Sequence, residues 1–290
     1  MNGGYLITTL SPADSHLKTI IAVPKFYEQR RTKTGSRNTG AYPGKKPANR
    51  PTPSEYRPAD EIEAYLVQEQ VHLLLDEAGY GKRVGYKIGC TTQVMQKFLQ
   101  IDSPCSGGIL NTSTNYIATS AQHQNFSHPG VECEIAAFIG SDLIPDDNPF
   151  TRESVAPNVK ALFAAIEIVD DRWTDYKSVD TPTLIADDFF ASGIVLSQPK
   201  RIQDAPDLFA TIGHMTINGK EVGKGSTGDI LGHPFEALAW LANSLATRGK
   251  NLKTGEIVML GSVVETQWVL PGDEVSIDVE GIGDALVKFV

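Results

Sequence analysis

The sequence predicts an α+β protein, mainly β, whose sheet is mainly antiparallel, strongly curved and flanked by a few helices. Three observations predict it. Short apolar runs recur from residue 83 onward, separated by Gly, Pro, Asn and Asp. An Asn218-Gly219 dipeptide sits inside the run Thr211–Val222, a strong hairpin signal. Only a few segments carry helical periodicity, so strands in hairpins dominate.

Order is expected to begin near Asp60. Pro58-Ala59-Asp60-Glu61 reads as a helix start, and Ile62, Tyr65, Leu66 and Leu73 follow as an apolar stripe, with Gly79 as the stop. Arg83–Gly89 reads as a short strand and Gln93–Leu99 as a helical turn or two, closed by Asp102-Ser103-Pro104. Val131–Gly140 is a strand with a continuously apolar second half. Val159–Val169 is apolar enough to be either helix or strand, and Gly193–Ser197 is a short buried strand. Pro234 occupies the first turn of one clear helix, with Phe235, Leu238, Ala239, Leu241, Ala242 and Leu245 as its stripe and Gly249 after it. Glu256–Val290 holds three or four short strands with turns at Pro271-Gly272 and Gly281-Ile282-Gly283.

The first stretch differs from the rest. Pro24–Arg50 carries eight basic residues against one acid, Glu28, so residues 1–57 read as an arm, partly irregular, and 58–290 as a single catalytic domain. Such an arm is either solvated or packed on an acidic neighbouring subunit. The whole chain of 290 residues has a net charge of −9, which argues against nucleic acid as the main partner. No apolar stretch approaches the ~20 residues of a membrane span. Three scattered cysteines exclude a disulfide framework, and MNGGYLITTL lacks a basic n-region, so a cytoplasmic protein is expected.

The chemistry centres on carboxylates. Glu132 and Glu134 lie two apart in a strand, so both point to one face. Two like charges ~4 Å apart repel by about 4 kcal/mol at an effective dielectric of 20. A bound cation, an intervening Arg or Lys, or a raised pKa would relieve this. Glu167 sits within the apolar run Ala164–Val169, where an unpaired charge is costly. Three converging carboxylates would suit Mg²⁺ or Mn²⁺ better than Zn²⁺. Alternatively, Glu132 and Glu134 stand on a solvent-facing edge and Glu167 pairs with Arg172. Lys87, in Gly85-Tyr86-Lys87-Ile88-Gly89, reads as a substrate-carboxylate clamp, a proton carrier or a snorkelling surface lysine.

In chain order, GYKIGCT (Gly85–Thr91), VECEIAAFIG, AIEIVDDRW (Ala165–Trp173), LIADDFFASGIVL, GHPFEALAWLAN and LKTGEIVMLGS followed by Pro271-Gly272-Asp273 form a specific set. This set resembles the fumarylacetoacetate hydrolase superfamily, in its 2-keto-4-pentenoate hydratase and 4-oxalocrotonate decarboxylase branch, over roughly Ala59–Val290. The resemblance implies a mixed β-roll with flanking helices and a divalent metal, Mg²⁺ or Mn²⁺. It implies that Glu132, Glu134 and Glu167 are the metal ligands, that Lys87 is the lysine near the substrate, and that Ser262 helps hold the substrate carboxylate. It implies Asp170 and Arg172 as a structural ion pair beneath the site.

The run Asp187-Asp188-Phe189-Phe190 departs from that branch, where the Asp188 position is commonly Asn followed by small residues. Asp188 therefore stands as a catalytic candidate beside Lys87, and Phe189 and Phe190 as substrate-binding candidates with Ser262, though both rings could equally fill core. The stretch Val263–Gln267 also departs from the family pattern. The implied activity is hydration of a 2-hydroxy-2,4-dienoate to a 4-hydroxy-2-oxo acid. Decarboxylation of a 2-oxo-enedioate ranks second, ahead of C–C hydrolysis of an acylpyruvate and of a non-catalytic partner subunit. The substrate is then a small 2-oxo acid, and the resemblance implies a homo-oligomer that can also form a complex with a pathway enzyme. The His-Glu pair of the hydrolytic branch has no clear counterpart. His128 reads as a loop residue, His233 as structural, and Cys90, Cys133 and Trp240 as core.

Overall fold

A computed structural model describes residues 56–99 and 101–290, together with Pro53; the basic arm of Pro24–Arg50 lies outside these residues. The first helix, α1 (Glu61–Glu77), starts where Asp60 accepts a hydrogen bond from the Glu63 backbone N–H and stops before Gly79, whose φ is +79°. Then follow β1 (Arg83–Gly89), α2 (Gln93–Leu99), β2 (Cys105–Leu110), β3 (Thr114–Tyr116) and β4 (Ala118–Ala121). The middle of the chain forms β5 (Pro129–Ile139), α3 (Arg152–Val155), β6 (Val159–Asp170), α4 (Thr181–Ala186), β7 (Ala191–Leu196) and β8 (Lys200–Arg201). Next come the hairpin β9 (Ile212–Ile217) and β10 (Lys220–Ser226), then α5 (Pro234–Ala246). The last strands are β11 (Ile257–Ser262), β12 (Gln267–Trp268), β13 (Glu274–Val279) and β14 (Gly283–Phe289).

One sheet has the order β2-β1-β11-β5-β6-β7-β3, with β12 added to β5 and β8 to β6. A second has the order β10-β9-β13-β14-β4. Antiparallel ladders dominate, but β1 with β11, β3 with β7, and β4 with β14 run parallel, so both sheets are mixed. In the first sheet β2 comes back against β7, far along the strand order, which curls the sheet into a roll. Alternation along the long ladder β5–β6 divides its residues between two environments. Val131, Cys133, Ile135 and Ala137 face outward with Ala164 and Ile166 into the core shared with the second sheet and α5. Ala136, Phe163 and Ala165 face inward with Ile109, Ile194, Ile257 and Met259, and fill one end of the roll. Glu132 and Glu134 share the inward phase of Ala136, and Glu167 shares that of Ala165, so the carboxylates occupy the other end.

Helix α1 buries only Tyr65 of the stripe that its apolar spacing predicts. Ile62, Leu66 and Leu73 are exposed, while Ala64, Tyr65, Val67, Gln68, Val71, His72 and Leu75 are buried. The buried face includes three polar side chains because each has backbone or loop groups to satisfy. Tyr65 Oη accepts from Ser106 N at 3.0 Å, and Gln68 Nε2 donates to Ser106 O (2.9 Å) and Ile185 O (2.8 Å). With α4, Trp173 and Phe189, this face builds a separate apolar cluster beside the roll. No described helix is long and apolar enough to cross a membrane.

Candidate active site

The β5–β6 register sets Glu132 directly opposite Glu167, and Glu134 two residues along the same face. The three side chains offer carboxylate oxygens that lie within 4.8 Å of one another. Glu134 and Glu167 are buried, and Glu132 is partly buried. The solvent-edge alternative for this pair therefore does not apply. Glu167 pairs with Lys87, whose Nζ lies 3.1 Å from its Oε1, rather than with Arg172. Lys87 is 4% exposed, which removes the surface-lysine reading.

Each carboxylate is held from outside the cluster. The Gly261 N–H donates to Glu134 Oε2 at 3.0 Å, and the Thr266 hydroxyl donates to Glu132 Oε1. Gly261 can present that N–H because its φ is +122°, and a Cβ there would strike Thr91. Glu134 Oε1 is buried without a hydrogen-bond partner. Burial and the neighbouring Glu167 push the Glu132 carboxyl up to about 7. Burial, with Glu167 and Glu132 beside it, pushes Glu134 well above the usual carboxylate range. Burial works against the charge on Lys87, but Glu167 and Glu132 outweigh it and its pKa is raised. One ammonium does not neutralise three carboxylates, and an all-oxygen donor set with an orphaned inward oxygen fits a hard divalent cation.

A cavity of about 370 Å³ opens onto the Lys87–Glu167 end of this cluster. Its walls include Ile109, Leu110, Phe126 and Ile194, with Asp188 among the polar residues. Lys87 and Arg172 both reach the cavity, and each already has a carboxylate partner: Glu167 for Lys87, Asp187 for Arg172 (2.9 Å).

The segment behind this wall is strained. Asp188, Phe189 and Phe190 have φ of +67°, +44° and +65°, a region that costs non-glycine residues about 1–3 kcal/mol each. Clamps hold it there. Arg172 donates to Asp187 Oδ2, Asp187 O and Ala191 O. Asp188 Oδ1 accepts from Gly108 N at 2.6 Å and lies 2.8 Å from His72 Nε2. The pairing expected of Arg172 with Asp170 is thus taken mainly by Asp187. Asp170 adds to the field that stabilises the guanidinium, and its own carboxylate accepts from the Ser127 and His128 N–H groups at 2.8 Å.

Phe189 is buried in the α1–α4 cluster, with its ring 5.0 Å beneath the Lys87 ammonium, and Phe190 packs edge-on against Phe189 and Tyr176. Neither ring is part of the cavity wall. Ser262 stands across from Glu134 in the β5–β11 register, but its hydroxyl donates to Val264 O at 2.6 Å. His128 stacks on Trp268 in a loop, and His233 Nδ1 accepts from Phe235 N to cap α5. His72, Thr266 and the Gly261 N–H are contributors that sequence reading missed.

A family model for the fumarylacetoacetate (FAA) hydrolase C-terminal domain matches residues 110–290. The chain belongs to the fumarylacetoacetate hydrolase family. It is 32% identical to the 2-hydroxyhexa-2,4-dienoate hydratase of Comamonas testosteroni over 223 residues, which is 76% of this chain and 83% of that one. It is 25% identical to the 4-oxalocrotonate decarboxylase of Pseudomonas putida over 82% of this chain and 88% of the relative. The solved 4-oxalocrotonate decarboxylase from Pseudomonas putida G7, complexed with magnesium and adipate, superposes with a TM-score of 0.75 at 24% identity. The match covers 80% of this chain and 86% of that one. As a fumarylacetoacetate hydrolase family member with hydratases and a decarboxylase among its relatives, the chain has the β-roll that the resemblance implied.

Proposed function

We propose that this protein is a divalent-cation-dependent hydro-lyase that adds water to a 2-hydroxy-2,4-dienoate and yields a 4-hydroxy-2-oxo acid. The observation that carries it is the convergence of Glu132, Glu134 and Glu167 beside buried Lys87, with Lys87 and Glu167 opening onto the cavity. Glu132, Glu134 and Glu167 would hold Mg²⁺ or Mn²⁺, which when bound supplies Lewis-acid stabilisation of enolate charge on the substrate. Lys87 donates toward the substrate's carboxylate end while Glu167 keeps its ammonium charged. Ile109, Leu110, Phe126 and Ile194 pack against the hydrocarbon end. Asp188, in the wall beside Lys87, carries protons at its carboxylate. Ser262 shapes the turn after β11 near Glu134, and Phe189 and Phe190 support the substrate site from behind Lys87. A small 2-oxo acid is the partner, and a homo-oligomer is part of this reading, which sedimentation would check.

Hydration is preferred to decarboxylation for one structural reason. A 2-oxo-enedioate carries a second carboxylate, and both cations that line the cavity are already matched to carboxylates of the protein. The test is incubation with Mg²⁺ and separate 2-hydroxy-dienoates and 2-oxo-enedioates, following dienol absorbance and CO₂ release together. Loss of dienol absorbance without CO₂ is expected. CO₂ release from an enedioate in preference to dienoate turnover would assign the decarboxylase reaction instead.

A further inference from the structure

We infer that His72 is a positioning residue for proton transfer, acting through Asp188, which lines the cavity beside Lys87. The inference rests on the proposed hydration. It starts from a side chain that ordinary core packing does not explain. His72 is 7% exposed on the inner face of α1, with Nε2 at 2.8 Å from Asp188 Oδ1 and Nδ1 buried without a hydrogen-bond partner. An ionised carboxylate can only accept, so Nε2 carries the proton of that bond. A histidine kept only for structure is expected to satisfy both nitrogens, since a bare buried acceptor is destabilising.

The surroundings are shaped around this one bond. A side chain at Gly108 would collide with the His72 ring, and one at Gly107 would come within 2.6 Å of Asp188 O. Gly108 N donates to the same Oδ1 that His72 holds. The Asp188–Phe190 backbone stays in the left-handed region at three successive non-glycine residues. Strain that is over-determined by several clamps is characteristic of a functional position. Tyr65 and Gln68, on the same face of α1, fix the adjoining Ser106 and Ile185 backbone, so the helix acts as a rigid mount for the Asp188 wall.

Water addition needs a proton carrier near the reacting alkene. Once the dienol hydroxyl proton has moved to C5, giving the conjugated 2-oxo-3-enoate, the water oxygen forms the new C–O bond at C4 and the alkene electron pair shifts toward the ketone. Asp188 takes the water's proton and returns it to the carbon beside the ketone, which regenerates the carboxylate. The Nε2–H of His72 keeps that carboxylate ionised and aimed before the step.

The experiment compares the wild type with His72→Leu, His72→Gln, Asp188→Asn and the His72→Leu/Asp188→Asn pair. Readouts are kcat and KM on the dienoate turned over by the wild type, with Tm and Mg²⁺ affinity alongside. Leu removes the donor, whereas Gln returns an N–H near the Nε2 position. His72→Leu is expected to lower kcat by about tenfold or more, with KM and Mg²⁺ affinity little changed. His72→Gln is expected to recover most of that loss, and in the Asp188→Asn background the Leu change should add less than about twofold. Wild-type kcat in His72→Leu, or an equal loss in both backgrounds, would overturn the inference. If His72→Leu does not fold, His72→Gln decides: turnover near wild type supports the role, and a folded variant as slow as Asp188→Asn rejects it. No turnover by the wild type on any dienoate sinks the proposed function, and the role of His72 with it. A working wild type with indifferent His72 variants sinks only the latter.

Discussion

Glu132 and Glu167 face each other across the β5–β6 ladder, one partly buried acid and one buried acid at one register position, with Glu134 alongside. At up to 4.8 Å between oxygens, each ionised pair repels by about 3–4 kcal/mol at an effective dielectric of 20. Glu134→Gln removes one charge and keeps an oxygen for the Gly261 N–H. The variant is expected to lose calorimetrically measurable Mg²⁺ binding. In metal-free buffer it should melt above the wild type, because repulsion is relieved. Unchanged Mg²⁺ affinity would remove Glu134 from the ligand set.

The same repulsion sets a pH dependence. The Glu132 pKa is raised from an ordinary 4.5 to about 7, and that of Glu134 moves the same way. A carboxyl with a raised folded-state pKa contributes stability that is fully present below about 4.5 and is lost as pH rises through about 7. Metal-free protein should therefore lose stability from this site across that window. Mg²⁺ should raise Tm little at pH 5, where protons compete, and by several degrees at pH 8. Differential scanning fluorimetry at fixed ionic strength checks it, and a Mg²⁺ effect that shrinks with rising pH would contradict it.

Lys87 separates holding a cation from turning over substrate. Lys87→Met removes the ammonium beside Glu167 and leaves three carboxylates with less positive charge nearby. Breaking a buried pair by removing one partner costs about 3–5 kcal/mol, so the metal-free variant should melt well below the wild type. Bound Mg²⁺ should recover much of this, with affinity equal to or above that of the wild type. Turnover should nevertheless fall by about 10²–10⁴-fold. Weaker Mg²⁺ binding would mean that Lys87 organises the cluster rather than the substrate.

How much of this was legible depends on the kind of periodicity involved. Glu132 and Glu134 could be placed on one face because a strand's period is two, and Glu167 because a charge in Ala164–Val169 needed a partner. The Asn218-Gly219 hairpin and the Pro234 helix carried their own turn and cap chemistry, and both formed. Cys105–Leu110 gave no signal, being CSGGIL with two glycines, yet every residue of it is buried. The Thr181–Ala186 helix is too short to show a period. Of the stripe read for helix α1 only Tyr65 is buried, because Gln68 and His72 on the true inner face are buried by what they bond rather than by their hydropathy. The left-handed run at Asp188–Phe190 is set by Arg172, Gly108 and His72, contacts distant in sequence that no local rule could supply.

Gly261 joins the fold to the site at a single position, and its replacement should damage both. Its φ of +122° is strained for an L residue, and an added Cβ would meet the Thr91 side chain. Its N–H is also the donor to Glu134 Oε2. Gly261→Ala is expected to destabilise by about 2–4 kcal/mol, combining backbone strain with overpacking. For a chain of this size that is a Tm drop on the order of 4–16 °C. Gly219→Ala is the internal control, because Gly219 has φ +78° but nothing within 4 Å of an added Cβ. It should lose only the strain, about 1 kcal/mol, and leave Mg²⁺ affinity untouched. Thr91→Ala in the Gly261→Ala background should return part of the stability by making room. It should not return the Mg²⁺ affinity, because the backbone that aims the N–H at Glu134 remains displaced. Equal Mg²⁺ affinity in Gly261→Ala and the wild type would show that Glu134 does not depend on that donor.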